Sequence, residues 1–93
     1  MTLIGSSILG PGQAEYFDVA LRGAVTYGIY VVPDEPGVDF DLHVYDENGT
    51  LVAQDVRTNS EAACFITPFW TGTFRLKVNS ARGLSTYRIA VQG

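Results

Sequence analysis

The side chains best placed for chemistry lie between Val38 and Asp55, in the segment VDFDLHVYDENGTLVAQD. Apolar and polar residues alternate here, so Asp39 and Asp41 project from one face of an extended strand, about 7 Å apart. Hard cations such as Ca²⁺ prefer carboxylate oxygens as ligands. The spacing therefore predicts Asp39 and Asp41 as candidate calcium ligands, although two carboxylates alone bind a cation weakly.

The same residues are poorly arranged for catalysis. His43 is the only histidine and Cys64 the only cysteine. His43 has the polar parity of its strand and Cys64 the apolar parity of its own, so the sheet would separate base from nucleophile. No nucleophile elbow, phosphate-binding loop or second zinc ligand is present. Asp39 and Asp41 on an open strand face lack the burial that would separate their pKa values for acid-base work. The sequence indicates a protein that is not an enzyme.

Aromatic residues form a third candidate feature. Several tyrosines have the non-core parity of their strands, and Phe69-Trp70 follows Pro68 at a predicted turn. Aromatic rings on a surface give a large contact area at little entropic cost. The predicted contacts with a protein or polymer partner are Tyr30, Tyr45 and Trp70. The alternatives are that a neighbouring domain covers these rings or that Trp70 caps the core.

Period-two alternation extends over most of the chain. Val38, Phe40, Leu42 and Val44 share one face, and Asn48-Gly49 predicts a tight turn into a second strand that ends at Asp55. Further strands are predicted at residues 15–22, 24–32, 62–66, 73–79 and 86–92, with turn residues between them. Residues 1–13 are predicted to be either an edge strand or a loose lead-in.

Seven to eight short strands, each with one apolar face, predict an all-β fold. The arrangement that buries all these faces is an antiparallel β-sandwich of jelly-roll or immunoglobulin-like type. A small closed barrel would show the same local pattern and is the alternative. The chain has 93 residues, and a second core would leave each half too small, so residues 1–93 are predicted to form a single domain.

Charge and hydropathy exclude several classes of partner. The formal net charge is −4, and seven of the ten acidic residues lie between residues 34 and 55. No basic stripe is available to neutralise phosphates, so we expect no nucleic-acid partner. No apolar run approaches the roughly 20 residues of a membrane span, and the first residues lack the pattern of a signal peptide.

Cys64 is predicted to be a buried hydrophobic residue, and no internal disulfide can form.

Four pieces of this sequence together resemble the bacterial pre-peptidase C-terminal domain. They are DFDLHVY at residues 39–45 with the Asn48-Gly49 turn, Thr67-Pro68, TGTFRLKV at residues 71–78, and YRIAV at residues 87–91. The resemblance covers roughly residues 14–92. Its most specific part is the D-x-D-L strand followed by the Asn-Gly turn.

The resemblance implies a small non-catalytic β-sandwich, usually attached to secreted proteases and other exported bacterial proteins. It therefore implies an extracellular or periplasmic location. Collagenase relatives in this family bind calcium and bind collagen through surface tyrosines, which corresponds here to Asp39 and Asp41 as calcium ligands and Tyr45 as a contact residue. Those relatives take further calcium ligands from an acidic N-terminal linker, whereas residues 1–14 here contain no acid.

The predicted function is that of a non-catalytic accessory module that mediates protein or polymer contacts for a larger, exported bacterial protein. Neighbouring domains of that larger protein are included among the expected partners. Two alternatives stay open on sequence grounds. One is a structural module stabilised by Ca²⁺, and the other is an intracellular protein-interaction domain.

Overall fold

Strands account for all the regular structure. A computed structural model describes residues 1–93, which form eight β-strands and no helix. The strands are β1 Thr2–Leu9, β2 Ala14–Leu21, β3 Tyr27–Pro33, β4 Asp39–Tyr45, β5 Leu51–Asp55, β6 Ala62–Ile66, β7 Gly72–Arg82 and β8 Ser85–Gln92. No helix is present that is long and apolar enough to cross a membrane.

The strands pair into two four-stranded sheets. The first sheet has the order β1-β8-β3-β6 and the second the order β2-β7-β4-β5. Every pairing between these strands is antiparallel. No strand ladder joins the two sheets, so the predicted sandwich is confirmed and the closed barrel is not formed.

The core lies between the sheets and consists of the apolar parity of the strands. Phe40, Leu42 and Val44 of β4 are completely buried, as are Ile29 and Val31 of β3 on the opposing sheet; Cys64 is also buried. The side chain of Tyr87 on β8 reaches across the core from the first sheet to the second. Its ring packs edge-on against Phe40 of β4, with centroids 5.5 Å apart. Its hydroxyl donates to Glu15 Oε1 of β2 at 2.8 Å. Burial and this hydrogen bond raise the pKa of Tyr87.

Several strand boundaries differ from the sequence predictions, and β7 extends furthest beyond its predicted end, to Arg82. Two other differences lie in the first third of the chain. The third strand begins at Tyr27 and not at Ala24, because Ala24 has a φ of +64°, which an extended strand cannot contain. The N-terminal segment is an edge strand and not a loose lead-in. Its hydrogen-bond partner is β8, with Thr2 opposite Val91 and Leu9 opposite Ser85.

The turn between β4 and β5 falls at Asn48-Gly49, as predicted. Only Gly49 has a positive φ, of 81°. Its N–H donates to Asp46 O at 3.0 Å. The backbone N–H groups of Asn48 and Thr50 both donate to Asp46 Oδ1 at 2.9 Å. This is a type I turn followed by a residue in the left-handed region, in which the Asp46 side chain replaces missing backbone partners.

Candidate functional site

Acceptor atoms without a donor gather on the outward face of the second sheet. Four buried side-chain atoms in the structure have no hydrogen-bond partner: Asp39 Oδ1, Asp41 Oδ1, His43 Nδ1 and Asn79 Oδ1. Three of these residues alternate along β4, and Asn79 lies opposite Asp41 on β7. Each atom can accept a hydrogen bond, the imidazole nitrogen when His43 is neutral. We call these four residues the acceptor cluster.

The strand face that carries the acceptor cluster is less open than the sequence predicts, and burial shifts the pKa values of Asp41 and His43 towards their neutral forms. Burial, and then the negative charge of Asp39, raise the pKa of Asp41. Burial and the nearby Lys77 lower the pKa of His43, and Asp41 only partly offsets them. Asn79 Nδ2 donates to Asp41 Oδ2, at a long 3.4 Å. The cluster therefore has one long internal hydrogen bond and no salt bridge to a Lys or Arg.

For a metal ion the cluster offers three side-chain oxygens that have no hydrogen-bond partner, one each from Asp39, Asp41 and Asn79. Nowhere do three or more His, Cys, Asp or Glu side chains converge to hold a metal ion. Ca²⁺ takes six to eight oxygens, so backbone carbonyls and water would have to supply the remainder. The two carboxylates singled out from the sequence do lie together, and Asn79 is the neighbour that the sequence analysis missed.

The predicted contact residues Tyr30 and Tyr45 do not share a surface. Tyr45 projects from the second sheet and stacks on His43, with ring centroids 6.4 Å apart and an interplanar angle of 14°. Tyr30 projects from β3 of the first sheet, on the opposite side of the sandwich. Parity places both rings outward but says nothing about which sheet each strand joins. A single contact surface therefore cannot contain both tyrosines.

Tyr30 and Trp70 are instead linked through Phe65, which the sequence analysis did not single out. The ring of Phe65 on β6 meets Tyr30 edge-on, with centroids 5.9 Å apart. Phe65 also lines a cavity of about 360 Å³ together with Phe69 and Trp70. Phe65 is 66% exposed and Phe69 96% exposed. We call Tyr30, Phe65, Phe69 and Trp70 the aromatic surface. The alternation of β6 could have identified Phe65 as an outward-facing ring, because Ala62, Cys64 and Ile66 face the core.

Two of these rings stand on a loop that neighbouring loops hold in place. The aromatic loop, residues 67–71, joins β6 to β7. It is bonded to the β2–β3 loop by three contacts: Ala24 N–H to Pro68 O at 2.7 Å, Gly23 N–H to Thr71 Oγ1 at 3.0 Å, and Thr26 Oγ1 with Thr67 Oγ1 at 2.8 Å.

The Trp70 ring has a support of its own. Its indole Nε1–H donates to Glu47 Oε1 of the β4–β5 turn at 2.9 Å. Gly23 lies directly against the Trp70 backbone, where an added Cβ would come within 2.9 Å of the Trp70 Cα. The loop backbone and the indole are thus each bonded to a neighbouring loop.

Cys64 and His43 are not paired in the structure. Cys64 faces the core and its burial raises the pKa of the thiol to about 11, whereas His43 lies on the outer face. A second cavity, of about 530 Å³, is lined by Arg57 and Arg82 among others. Arg57 is already occupied there, because its Nη2–H donates to Asp55 Oδ2 at 2.8 Å.

Comparison with known proteins gives a fold neighbour but no sequence match. No protein-family model and no curated protein matches the chain. Among solved structures, it is similar to the pre-peptidase C-terminal domain of a collagenase from Bacillus anthracis, with a TM-score of 0.75 and 15% identity over 99% of this chain and 91% of that one. It also aligns with the CBM22-1-GH10 modules of a Clostridium thermocellum xylanase, at a TM-score of 0.46 and 13% identity over 100% of this chain and 27% of that one. The chain therefore has the fold of the pre-peptidase C-terminal domain, as its strand motifs predicted.

Proposed function

We propose that this chain is a non-catalytic accessory module that holds a protein or polymer partner for a larger protein, through the aromatic surface. One observation carries the proposal: Phe65 contacts Tyr30 and shares a cavity with Phe69 and Trp70, which stand on a loop hydrogen-bonded to its neighbours. Isolated exposed hydrophobic residues need no explanation, but a contiguous apolar patch marks an interaction site.

The fixed loop gives a physical reason for binding. Association normally costs free energy because loops and side chains lose freedom at the interface. Here the hydrogen bonds of Gly23, Ala24 and Glu47 have already ordered the loop that carries Phe69 and Trp70. Large aromatic side chains that are ordered in advance are the residues that dominate binding energies at interfaces.

Co-sedimentation with an insoluble polymer tests the proposal. Collagen is one probe, because the fold neighbour is a domain of a collagenase, and microcrystalline cellulose is a chemically different second probe. We expect binding to at least one of them, and the double variant Tyr30→Ala/Trp70→Ala should raise the dissociation constant about tenfold or more. Tyr45→Ala is the matched control, since it removes an outward tyrosine from the opposite sheet and should change nothing.

Two outcomes would contradict this assignment. One is a wild-type protein that sediments with neither polymer. The other is a double variant that binds as the wild type does while melting at the same temperature.

A second candidate function is favoured by the acceptor cluster: a structural module stabilised by Ca²⁺. Asp39, Asp41 and Asn79 each have a buried oxygen without a donor, and a cation would satisfy all three at once. Bound Ca²⁺ at about 100 times its dissociation constant would add roughly 2.7 kcal/mol to the free energy of unfolding.

Thermal melts in millimolar Ca²⁺ and in chelator test this second function. For a domain of this size we expect Ca²⁺ to raise the melting temperature by roughly 10 °C or more at saturation. Asp41→Asn should remove that increase, and Asp18→Asn, which changes an acid paired with Arg75 elsewhere on the sheet, should keep it. Equal melting temperatures with Ca²⁺ and with chelator rule the function out.

A further inference from the structure

The last strand of the first sheet has a free edge. β6 ends the order β1-β8-β3-β6 and pairs only with β3. The Ala63 N–H donates to Asp55 Oδ2 at 2.9 Å, so it points away from β3. Bonded and non-bonded pairs alternate along an antiparallel ladder. Phe65, two residues further along, therefore also presents its N–H and C=O to the free edge.

The cavity of the aromatic surface runs along this edge. Its wall on one side is Phe65 and Ile66 of β6, and on the other side Val52 of β5, the edge strand of the second sheet. Phe74 lines it from β7, and Phe69 and Trp70 line it from the aromatic loop. The free backbone groups and an apolar cavity of about 360 Å³ are thus parts of one groove.

Asp55 caps the Ala63 N–H of β6, but the sequence of β6 carries none of the side chains that usually protect an edge strand from other chains. Natural edges carry charged side chains, proline or a bulge. β6 reads AACFI, without charge or proline, and its pairing with β3 has no register shift. The other edges differ: β2 carries Glu15 and Asp18. The pairings of β1 and β5 each contain a register shift.

The charge of the groove is negative. Asp46 lines the cavity, Glu47 holds the Trp70 indole beside it, and no Lys or Arg lines it. The formal net charge of the chain is −4. Two copies placed edge to edge would bring these acids and this net charge together, whereas a basic residue would complement them.

We propose that this groove binds an extended polypeptide segment of a partner protein, which adds a strand to β6 at Phe65. An apolar side chain of the segment enters the cavity, and a Lys or Arg lies near Asp46 and Glu47. This inference rests on the proposed binding function and specifies its partner as a polypeptide. Only an extended backbone offers the alternating donors and acceptors that match a free strand edge.

A matched pair of variants isolates the backbone contribution. Phe65→Ala and Phe65→Pro both remove the ring, but only proline also removes the N–H that the partner strand needs. An edge strand tolerates proline where its N–H faces solvent, so both variants should keep the wild-type circular dichroism spectrum.

The probe is a phage-displayed library of random decapeptides, selected on the wild-type protein. We expect enriched peptides that alternate apolar residues and carry Lys or Arg. Their affinity for Phe65→Pro should be about tenfold or more below that for Phe65→Ala, as the loss of backbone bonding requires. A library that yields no enriched peptide, or equal affinities for the two variants, overturns the proposal.

Hydrogen exchange on the wild-type protein gives a readout that does not depend on any variant. The enriched peptide should slow exchange of the Phe65 amide and leave the amides of β1, at the far edge of the same sheet, unchanged. An unprotected Phe65 amide in the peptide complex overturns strand addition. So does a wild-type dimer in sedimentation velocity that Phe65→Pro abolishes, because a second copy would then occupy the edge.

The two proposals can fail separately. If Tyr30→Ala/Trp70→Ala loses polymer binding while Phe65→Pro and Phe65→Ala behave alike, the aromatic surface functions without strand addition. If neither polymer nor peptide binds, both proposals fail.

Discussion

His43 lies on β4 between two side chains with opposite effects on its protonation. Asp41 favours the imidazolium ion, while burial and Lys77 oppose it more strongly. The native pKa is therefore below the ordinary value of 6.5, and the neutral ring prevails at pH 7. Since the unfolded chain takes up this proton first as the pH falls, His43 contributes stability above pH 6.5, and that contribution is lost as the pH falls through the native pKa.

Replacing Lys77 by Gln should raise the pKa of His43, because the variant removes a positive charge that opposes protonation. Asp41→Asn should lower it further, because that carboxylate favours the charged ring. An NMR titration of the imidazole measures both shifts. A wild-type midpoint at or above 6.5, or shifts of the opposite sign, would contradict this account of the acceptor cluster.

At this scale the sequence predicted part of the site. Alternation was enough to place Asp39 and Asp41 on one outward face. Asn79 could not be assigned to them, because its place opposite Asp41 depends on the register between β4 and β7, which are far apart in the sequence. Tyr30 and Tyr45 were grouped incorrectly for the same reason, since parity gives the face but not the sheet.

At the scale of the elements, one carboxylate joins the two sheets. Asp55 ends β5 in the second sheet, is 5% exposed, and accepts from the Ala63 N–H of β6 in the first sheet at 2.9 Å. It also accepts from the Arg57 backbone N–H and from its guanidinium. The Arg57 side chain, followed by these backbone donors, holds the pKa of Asp55 well below its ordinary 3.8. This stability is present above pH 3.8 and is lost as the pH falls through the native pKa.

Asp55→Ala should therefore lower the free energy of unfolding by about 2–3 kcal/mol at pH 7, because it leaves buried donors without an acceptor. Arg57→Ala is the control. Its guanidinium is largely exposed and the backbone donors remain, so a loss of about 1 kcal/mol or less is expected. Urea unfolding at pH 7 and pH 3 measures both. The deficit of Asp55→Ala should shrink at pH 3, and a deficit that is equal at both pH values would contradict the assignment.

The β2–β3 loop supports the aromatic loop through a glycine. A Cβ at Gly23 would lie 2.9 Å from the Trp70 Cα and carbonyl carbon, which are backbone atoms and cannot rotate away. Gly23→Ala should cost about 1–3 kcal/mol of stability and shift the fluorescence of Trp70. Gly10→Ala is the comparison, since its closest neighbour is the flexible Gln13 side chain at 3.2 Å. Equal effects of the two substitutions would show that the loop is not held at Gly23.

At the scale of the whole molecule, the strands of each sheet come from distant parts of the sequence. β1 pairs with β8 and β2 with β7, so neither half of the chain can form a complete sheet alone. Alternation located the strands and their buried faces, because that information is local. Strand order and register depend on pairings such as Thr2 with Val91, which no local pattern specifies.

The reactivity of the Cys64 thiol measures whether the two sheets unfold together. It is 4% exposed and its burial raises the thiol pKa to about 11. In the folded protein a reagent therefore cannot reach the sulfur, and the reactive thiolate form is scarce. At pH 8, an aromatic disulfide reagent should leave Cys64 unmodified over times that label free N-acetylcysteine completely. In urea the labelled fraction should follow the unfolding curve measured by circular dichroism. Rapid labelling of the native protein would show that β6 opens independently of the rest.

The Asp46 turn has a consequence for the chemical lifetime of the chain. An asparagine followed by glycine loses its side-chain amide when the glycine nitrogen attacks the asparagine Cγ, which forms a succinimide and releases ammonia. In the folded protein the Gly49 nitrogen is held by its hydrogen bond to Asp46 O at 3.0 Å, and the neighbouring N–H groups are held by the Asp46 side chain. Asn48 should therefore deamidate more slowly in the native protein than in urea, and Asp46→Ala should accelerate native deamidation, as mass spectrometry of stored samples would measure. Equal rates in the native and unfolded chains would contradict this. The turn that reverses the chain between β4 and β5 thereby also slows the deamidation of Asn48.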